Sequence, residues 1–415
     1  MPEKYLANLC QLLSQQNDKN TLRDEFLNFS QVDWENLISL AEEYRLLPLT
    51  YTHLKKLGVS DRLPAAGREK MRQAVLTNAT RNMLFLHEAK IVLETLKGAH
   101  IPVIGLKGVY LLDNIYPDIS TRTMNDLDLM VKKRDIPAAI SICQSLGYQP
   151  TTYFNIHDAN LDIKHVPPLK KETGPYLELH WTILEEDEPF TIDAKGLWER
   201  ALPAKIAGSD ALTLSPEDLI LHLCLHLAYQ HHLSLGLRGL YDVAAVLQHF
   251  KGGLNGAKMA AIAHTWGSTR VLGLSLTLAE DLLGAPIPLE VWDHLPPNTL
   301  EPWAVEEARL QLLDRGHPAV AMTPDLAKFA QEQGVFKRIQ HIWKRIFLPK
   351  VTLARLYNVP PTSLRIYGCY VKRAWDLFTH YRSSMAHILE RDEGVQATAE
   401  KEQATQRLRS WMGKG

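Results

Sequence analysis

Thr123-Met-Asn-Asp-Leu-Asp-Leu-Met-Val131 is the stretch that decides how the middle of this chain folds. Two aspartates, Asp126 and Asp128, alternate with leucines, which is the period-two pattern of a strand with one buried face. Side chains two apart on a strand point to the same side, so the two carboxylates are expected to converge. The stretch therefore predicts a strand at Leu127–Val131 with paired acids at its start.

A small mixed α/β unit is predicted around this strand, over roughly residues 99–200. The unit begins where a β-branched run follows Gly98, the glycine that closes the preceding helical pattern. Its predicted elements are, in chain order, a strand at Ile101–Ile104, a turn at Gly105–Gly108, a helix at Val109–Tyr116, the strand above, a helix at Ile136–Leu146, and strands at Leu161–His165 and Tyr176–Trp181.

Helical periodicity dominates on both sides of this unit. Residues 1–98 have it throughout, and it returns at Ser215-Pro-Glu-Asp218, a capping serine followed by proline at the first helical position. Helices are expected at about 217–233, 236–249, 256–265 and 268–283. The fold class is therefore α+β, a small mixed sheet flanked by all-helical regions, with segments 1–98, 99–210, 211–390 and a charged tail 391–415 that is either a solvated helix or frayed.

Composition excludes several classes of protein. The chain has 415 residues, 46 Lys and Arg, 47 Asp and Glu, and a formal net charge of -1, so bulk charge does not indicate a polyanion binder. Its four cysteines form no CxxC pair, which argues against a zinc ribbon or a disulfide framework. No uncharged apolar run approaches the roughly 20 residues that cross a bilayer. We expect a soluble cytoplasmic protein without a transmembrane segment.

Paired acids on one strand face are suited to binding Mg²⁺. Carboxylate oxygens are the ligands that this ion prefers, and a third acid from a neighbouring strand would complete a site that also holds a nucleoside triphosphate. Glu178 is the best candidate, with His180 on the same face of its strand, and Asp162 is the runner-up. Alone, an Asp-x-Asp pair is more often a solvated strand edge, although the repulsion between the acids favours a bound cation.

Residues suited to phosphate binding lie close to the acids in sequence. The Gly105-Leu-Lys-Gly108 turn is predicted to present backbone N–H groups and the Lys107 ammonium at a helix N-terminus. Arg122, four residues before Asp126, is a candidate for bidentate phosphate binding. Gly105, Lys107, Gly108 and Arg122 are therefore predicted nucleotide-binding residues, and His180 and Arg238 from later in the chain complete the predicted set.

These motifs resemble those of the bacterial uncharacterised nucleotidyltransferases in the DNA polymerase β-like superfamily. The matching elements, in order, are Ile101-Pro-Val-Ile-Gly-Leu-Lys-Gly108, Tyr116-Pro117, Arg122, Asp126-Leu-Asp-Leu-Met-Val131, Leu146 to Tyr148, and Glu178-Leu-His-Trp181. Similarity continues into Leu214–Leu219 with His222 and His226, into Gly236–Asp242, and into the helical N-terminal segment. Most of the chain is covered.

The resemblance implies a polymerase-β-like palm with a nucleoside triphosphate donor, expected to be ATP, and Mg²⁺ or Mn²⁺. It implies that Asp126, Asp128 and Glu178 are the catalytic and metal-binding residues, with His180 beside them. The superfamily usually has Gly-Ser or Gly-Gly where this chain has Lys107-Gly108, so phosphate binding is expected to depend on Lys107 and backbone groups. The expected activity is transfer of a nucleoside monophosphate to a hydroxyl or other nucleophile.

The acceptor is left open by the resemblance and by the residues. A small molecule, a peptide, a protein or RNA would each be compatible. Two alternatives to the general enzyme remain: a catalytically inert nucleotide-binding or regulatory module, and a nucleotidyltransferase toxin that modifies tRNA.

The segment after Ser215 contains further candidates. His222, His226, His231 and His232 are predicted in one helical stretch, and the first two share a face as zinc ligands would. Surrounding leucines favour a histidine pair that lines the cleft. Arg238 and Asp242 are four apart, which suits either an intrahelical ion pair or an arginine that reaches the nucleotide or the acceptor.

Residues 335–382 form the most strongly biased region. Ten lysines and arginines occur there against one acid, Asp376, with aromatic residues between them. Such a region is compatible with RNA, an anionic membrane surface or an acidic partner. The favoured interpretation is more ordinary: helices that pack their aromatic residues inward and present a basic outer face.

Overall fold

The computed structural model describes residues 2–14, 19–152, 164–296, 299–314, 340, 343–389 and 393–414. Contacts divide the chain into two compact units. The first comprises Met1–Gln149, Leu161–Arg315 and Trp411–Gly415, and the second comprises Pro150–Asn160 and Gly316–Ser410. The sheet and the helices before and after it lie almost entirely in the first unit. The division predicted at residues 98, 210 and 390 stays a prediction.

The described part of the first 98 residues forms α-helices and one short 3₁₀ turn. The helices are α1 Pro2–Leu13, α2 Lys19–Leu27, α3 Gln31–Glu43, α4 Leu47–Leu57 and α5 Ala65–Gly98, with the 3₁₀ turn at Ser60–Arg62. Helix α3 begins at a capping box, in which Ser30 Oγ accepts from the Asp33 N–H and Asp33 accepts from the Ser30 N–H. Trp34 stacks on Phe26 inside this helical layer, and both are buried.

One seven-stranded mixed sheet stands at the centre of the first unit. Its strands are β1 Ile104–Gly105, β2 Asp126–Met130, β3 Gln149–Pro150, β4 Leu169–Lys170, β5 Tyr176–His180, β6 Leu202–Ile206 and β7 Ser209–Thr213. The spatial order is β3-β4-β5-β2-β1-β7-β6. Strand β2 pairs in parallel with β5 and antiparallel with β1, so the two strands with the candidate acids are direct neighbours near the middle.

Helices before and after β2 and β5 complete the layers. Between β1 and β5 these are α6 Lys107–Tyr110, a π-helix at Leu111–Ile115, a 3₁₀ turn at Lys133–Asp135 and α7 Ile136–Ser145. The later elements are α8 Ala194–Arg200, α9 Pro216–Cys224, a π-helix at Leu225–Gln230, α10 Gly236–His249, α11 Gly256–Trp266, α12 Thr269–Leu283, α13 Glu290–His294 and α14 Pro302–Leu313. Ser215 caps α9 by accepting from the Asp218 N–H, as the sequence predicted.

The predicted fold class is confirmed, and several details are corrected. The first strand lies at Ile104–Gly105 and not at 101–104, and the helix predicted to reach residue 233 ends in a π-helical turn at Gln230. His231 and His232 therefore lie outside it. The β6–β7 hairpin was not predicted. Asp162 lies outside the described residues, as does most of the strand predicted at Leu161–His165. The last residue of that prediction, His165, forms an isolated β-bridge with His180.

The second unit contains the helices Lys350–Tyr357 and Arg365–Leu389. A small core joins them, made by Leu353, Ala354, Ile366 and Cys369. The prediction that aromatic residues pack inward was wrong for five of them. Trp343, Phe347, Tyr367, Trp375 and Phe378 are all more than half exposed. Lys337 and Arg338 of the basic segment lie outside the described residues.

The last described helix is Glu393–Met412. A helix was one of the two alternatives predicted for the charged end, but Leu408, Trp411 and Met412 in its last turns are buried. Trp411 Nε1 donates to Glu301 Oε1 at 2.8 Å. Among the described residues, no helix has both the length and the apolar character to span a membrane.

Candidate active site

The parallel register of β2 and β5 sets the acids side by side. Asp128 lies opposite Glu178 and Met130 lies opposite His180. Because side chains alternate along each strand, Asp126, Asp128, Glu178 and His180 share one face of the sheet. The leucines between them on both strands are fully buried on the other face, which anchors the acids on two well-packed strands.

A compact donor set results from this register. His180 Nε2 lies 2.9 Å from Asp128 Oδ1 and 3.3 Å from Glu178 Oε2. In the described part of the chain, Asp128, Glu178 and His180 form a group with one ligand atom each, all within 4.8 Å of one another. The two carboxylates are donors that Mg²⁺ or Mn²⁺ accepts, whereas an imidazole suits softer transition metals better. Asp126 lies outside this group but on the same face.

Lys107 neutralises part of the carboxylate charge. Its Nζ lies 3.3 Å from Asp128 Oδ1, and both side chains are buried. The backbone of Lys107 has a φ of 30°, in the left-handed region that a lysine seldom adopts. This conformation follows Leu106 at the start of α6, so the turn predicted to bind phosphate presents its ammonium to Asp128.

The glycines of this turn allow close packing. A Cβ on Gly105 would collide with Ile206 Cδ1, and a Cβ on Gly108 would lie 3.2 Å from Arg122 Nη1 and 3.0 Å from Met124 Sδ. Gly105 therefore leaves room for the side chain of Ile206, which belongs to strand β6. Gly108 lines the cavity beside the acids.

The acids differ in protonation because their surroundings differ. Burial and the neighbouring Asp128 raise the pKa of Asp126 to about 6. Burial also opposes ionisation of Asp128, but Lys107 and the hydrogen bond from His180 hold its pKa well below the usual value. Burial also favours the neutral form of Glu178, but the hydrogen bond from His180 outweighs it, so the pKa of Glu178 is lowered. Burial and the repulsion from Asp128 thus outweigh the attraction of Lys107 at Asp126, and a divalent cation on this face would offset that repulsion.

Arg122 forms a second buried ion pair. Its Nε and Nη2 donate to the two oxygens of Asp242, each at 2.8 Å, and Tyr116 Oη donates to Oδ1 of the same carboxylate at 2.8 Å. Burial alone would lower the pKa of Arg122, but Asp242 raises it. The bidentate geometry predicted for a phosphate is thus used on Asp242, which connects α10 to the segment before β2.

Asp242 accordingly does not form the intrahelical pair considered for Arg238. Arg238 Nη1 donates instead to Thr123 Oγ1 at 3.2 Å, and burial lowers the pKa of its guanidinium. Both arginines line the cavity. Arg238 is therefore a partly buried cation for which no described residue provides a bidentate carboxylate partner.

Two asparagines of α5 hold the segment before β2. Asn78 Nδ2 donates to the carbonyls of Ser120 and Arg122, and Asn82 Nδ2 donates to those of Ile119 and Arg122. Both side chains are buried. Sequence reasoning missed these positioning residues because isolated polar residues in a helical pattern carry no signal of a distant loop.

A cavity of about 270 Å³ faces Asp126 and Asp128, whereas Glu178 and His180 are not among its lining residues. Asp126, Asp128 and Lys107 line one side, and the π-helix after α9, the following turn and α10 contribute His226, His231 and Arg238. Such π-helical turns frequently occur at functional sites. Arg45, which directly follows α3 and its capping residue Tyr44, also lines the cavity. Neither Arg45 nor His231 was predicted there, and no local pattern would have identified them.

The histidines do not form the considered zinc site within the described residues. His222 is 1% exposed and does not line the cavity. His226 Nδ1 lies 3.0 Å from Gln230 Oε1, and its ring lies 4.3 Å from that of His231. Burial holds the pKa of both His222 and His226 well below the usual value. The favoured interpretation, a histidine pair that lines the cleft, therefore holds for His226 and is wrong for His222.

One comparison with known proteins gives a match. A family model described as "Uncharacterised nucleotidyltransferase" matches residues 30–284. The matched segment begins at Ser30, the cap of α3, and includes the sheet, both ion pairs and the helices around the cavity. No protein of curated function matches the chain.

Proposed function

The chain belongs to the uncharacterised nucleotidyltransferase family, and from that premise we propose that it transfers a nucleoside monophosphate from a triphosphate to an acceptor nucleophile and releases pyrophosphate. We propose that Asp126, Asp128 and Glu178 bind the Mg²⁺ or Mn²⁺ that this reaction needs. The observation that carries the proposal is the β2–β5 register, which places Asp128 opposite Glu178 on one sheet face. ATP is the proposed donor. Nucleotidyl transfer needs positioning and charge neutralisation, and this face supplies ligands for both.

The donor set fits a divalent cation. Asp128, Glu178 and His180 each present a ligand atom within 4.8 Å of the others. Asp126, whose pKa is raised by burial and by Asp128, lies on the same sheet face. A bound Mg²⁺ would neutralise phosphate charge and lower the pKa of an attacking hydroxyl. Lys107 now contacts Asp128 through one 3.3 Å interaction, so its ammonium would turn to the phosphates once a cation takes that carboxylate.

The wall across the cavity suits the donor's phosphates. Arg238 and Arg45 present guanidinium groups, and His226 and His231 add imidazoles. Guanidinium groups bind phosphate oxygens in bidentate geometry. We therefore assign the triphosphate to the space between Arg238 and the acids. Gly108, which has no side chain, allows the phosphates to approach the backbone of the turn. Arg122 does not bind phosphate in this proposal but holds α10 in place through Asp242.

Calorimetric titration tests the donor part of the proposal. Wild type should bind Mg-ATP with an affinity that disappears when the metal is omitted, whereas Asp128→Asn should show no metal-dependent binding. Asp281→Asn, which changes an exposed aspartate paired with Arg309, is the matched control and should bind as wild type. Metal-independent binding in wild type would contradict the assignment of the acids.

Labelling tests the transfer itself. Protein incubated with Mg²⁺, [α-³²P]ATP and an extract of small molecules, peptides, proteins and RNA should yield a labelled acceptor that requires Asp128. Fractionation then identifies the acceptor class. Metal-dependent nucleotide binding without any labelled product, across all four nucleotides, would favour the inert regulatory module over the enzyme.

A further inference from the structure

Exposed apolar side chains concentrate in one part of the second unit. They are Trp343, Phe347, Leu356, Leu364, Tyr367, Val371, Trp375 and Phe378. Leu364 is 84% exposed, Val371 74% and Trp375 65%, values typical of side chains with no covering layer among the described residues. Contiguous exposed apolar surface of this kind marks an interaction site.

Four of these residues form one stripe on the helix Arg365–Leu389. Tyr367, Val371, Trp375 and Phe378 are separated by four, four and three positions, so they lie on the same helix face. The helix buries other residues, Ile366 and Cys369, against Leu353 and Ala354. The small core of this unit is thus formed away from the stripe, and Leu364, directly before the helix, extends it. We call these five residues the apolar stripe.

Cations stand beside the apolar stripe. Lys350 Nζ lies 4.7 Å above the Tyr367 ring and donates to its hydroxyl at 2.9 Å. Lys372 lies 5.4 Å from the Tyr357 ring centroid and is exposed. Arg365 and Lys344 are exposed as well. The flanks of the stripe are therefore basic.

The local charge is not balanced within this sequence segment. Asp376 is the one acid between residues 335 and 382, and its carboxylate accepts a hydrogen bond from Tyr357 Oη at 2.9 Å. The segment consequently carries a strong positive charge next to an exposed apolar face. A complementary partner is therefore negatively charged and also has an apolar region that can cover this face.

Aliphatic members of the stripe distinguish between anionic partners. Single-stranded nucleic acid stacks its bases on aromatic rings, for which Leu364 and Val371 offer no plane. A lipid surface accepts aliphatic and aromatic side chains together at the boundary between headgroups and acyl chains, with Lys and Arg beside the phosphates. Tryptophan and tyrosine are the residues preferred at that depth.

We propose that the apolar stripe and its flanking cations bind the surface of an anionic membrane. The helix lies in the interface with Tyr367, Val371, Trp375 and Phe378 toward the acyl chains, while Lys350 and Lys372 contact lipid phosphates. Binding is peripheral, because no described helix could span the bilayer. In a cytoplasmic protein, the membrane surface bound in this way is the inner leaflet. The proposal does not depend on the function proposed for the first unit.

Co-sedimentation of the full chain with vesicles tests the proposal. The protein should pellet with vesicles that contain phosphatidylglycerol in phosphatidylcholine and stay in solution with phosphatidylcholine alone, and added salt should release part of it. Val371→Asp should lower the partition coefficient at least about tenfold. Leu289→Asp, a matched change at a leucine that is 78% exposed in the first unit, should leave partitioning unchanged.

Two further variants separate apolar from electrostatic contributions and guard against misfolding. Trp375→Ser removes apolar area without adding charge and should also weaken binding. Lys372→Glu should weaken binding to anionic vesicles most at low salt. Circular dichroism and Mg-ATP titration on the same samples check that each variant is folded.

Three results would overturn the proposal. They are equal binding of wild type and both stripe variants to anionic vesicles, binding of labelled RNA without any vesicle binding, and a dimer that Val371→Asp converts to a monomer without any vesicle binding. The last two would assign the stripe to nucleic acid and to a second copy of the chain, respectively.

Discussion

Two buried ion pairs border the cavity, and they hold their carboxylates very differently. Arg122 and Asp242 share two hydrogen bonds of 2.8 Å, with Tyr116 donating a third. Lys107 and Asp128 make one contact of 3.3 Å. Burial does not explain the difference, since the side chains are 12% and 10% exposed in the first pair and 9% and 5% in the second.

The difference indicates that the Arg122–Asp242 pair stabilises the fold and that the Lys107–Asp128 pair belongs to the functional site. A bidentate pair with both oxygens occupied fixes the orientation of the elements that carry it. Here those elements are α10 and the segment before β2, the two sides of the cavity. Lys107 and His180 both contact Oδ1 of Asp128, at 3.3 Å and 2.9 Å. Among the described residues no hydrogen bond or ion pair uses Oδ2, whose lone pairs could therefore bind a cation. We therefore expect stability to depend on Asp242 and function to depend on Asp128.

The largest effect on stability is expected from Asp242→Asn. This change leaves Arg122 buried without its counterion, and breaking a buried pair in this way costs about 3–5 kcal/mol. Urea unfolding measures the loss. Asp281→Asn breaks an arginine–aspartate pair of the same 2.8 Å length but about 40% exposed, and should cost less than about 1 kcal/mol. Equal losses in the two variants would remove the structural role assigned to the Arg122 pair.

Divalent metal should stabilise wild type and not Asp128→Asn. At a free concentration about 100 times the dissociation constant, binding to the folded state alone adds about 2.7 kcal/mol to the free energy of unfolding. Thermal unfolding with Mg²⁺, Mn²⁺ and EDTA measures this increment. If metal stabilised Asp128→Asn as much as wild type, the metal would bind elsewhere, and Asp128 would not have the functional role assigned to it.

Asp126→Asn should stabilise the metal-free protein by about 1–2 kcal/mol at pH 7. The pKa of Asp126 is raised from 3.8 to about 6, so the folded state binds a proton more tightly than the unfolded state. Wild type therefore loses stability as the pH rises from about 4 through 6, whereas the asparagine variant lacks this loss. The gap between the two should vanish near pH 4.

Unfolding curves at pH 4, 5, 6 and 7 in EDTA measure that gap. A gap that stays constant across this range would mean that Asp126 ionises normally and that the carboxylate face carries no excess charge. Mg²⁺ should narrow the gap at pH 7, because the cation offsets the repulsion that the asparagine removes.

The smallest expected effect is that of Arg238→Ala on nucleotide binding, about a tenfold weakening or 1.4 kcal/mol. Arg238 donates one hydrogen bond to Thr123, so its removal should change stability by less than about 1 kcal/mol. Titration with Mg-ATP gives the affinity, and Arg68→Ala, at an exposed pair with Asp61, is the control. Unchanged affinity in Arg238→Ala would remove this residue from the proposed phosphate site.

Elements with a strong local pattern could be predicted from the chain alone. Strand β2 follows from its alternation, and α9 follows from Ser215 and Pro216. The β6–β7 hairpin could not, because Pro203 within β6 argues against a strand. That proline is tolerated because β6 lies at the edge of the sheet, a position that only the assembled sheet defines.

The candidate site also has a part that could be predicted from the sequence and a part that could not. Asp126 and Asp128 converge because of the strand period, and Glu178 and His180 share a face for the same reason, so these four were predictable as two pairs. That the two pairs meet depends on β2 and β5 being parallel neighbours in register. The bond from Arg122 to Asp242 joins residues 120 positions apart, and nothing in either local sequence indicates it.

The sequence by itself determined the acids, their strands, the helical flanks and the resemblance to a nucleotidyltransferase family, because each is a property of neighbouring residues and their periodicity. Tertiary structure alone decided that Arg122 pairs with Asp242, whereas Arg238 has no bidentate carboxylate partner among the described residues. It also decided that Lys107 faces Asp128 and that five aromatic residues between 343 and 378 are exposed. These outcomes depend on which groups become close after burial, where an ion or ring must find a partner or stay at the surface. Chain position does not encode that choice.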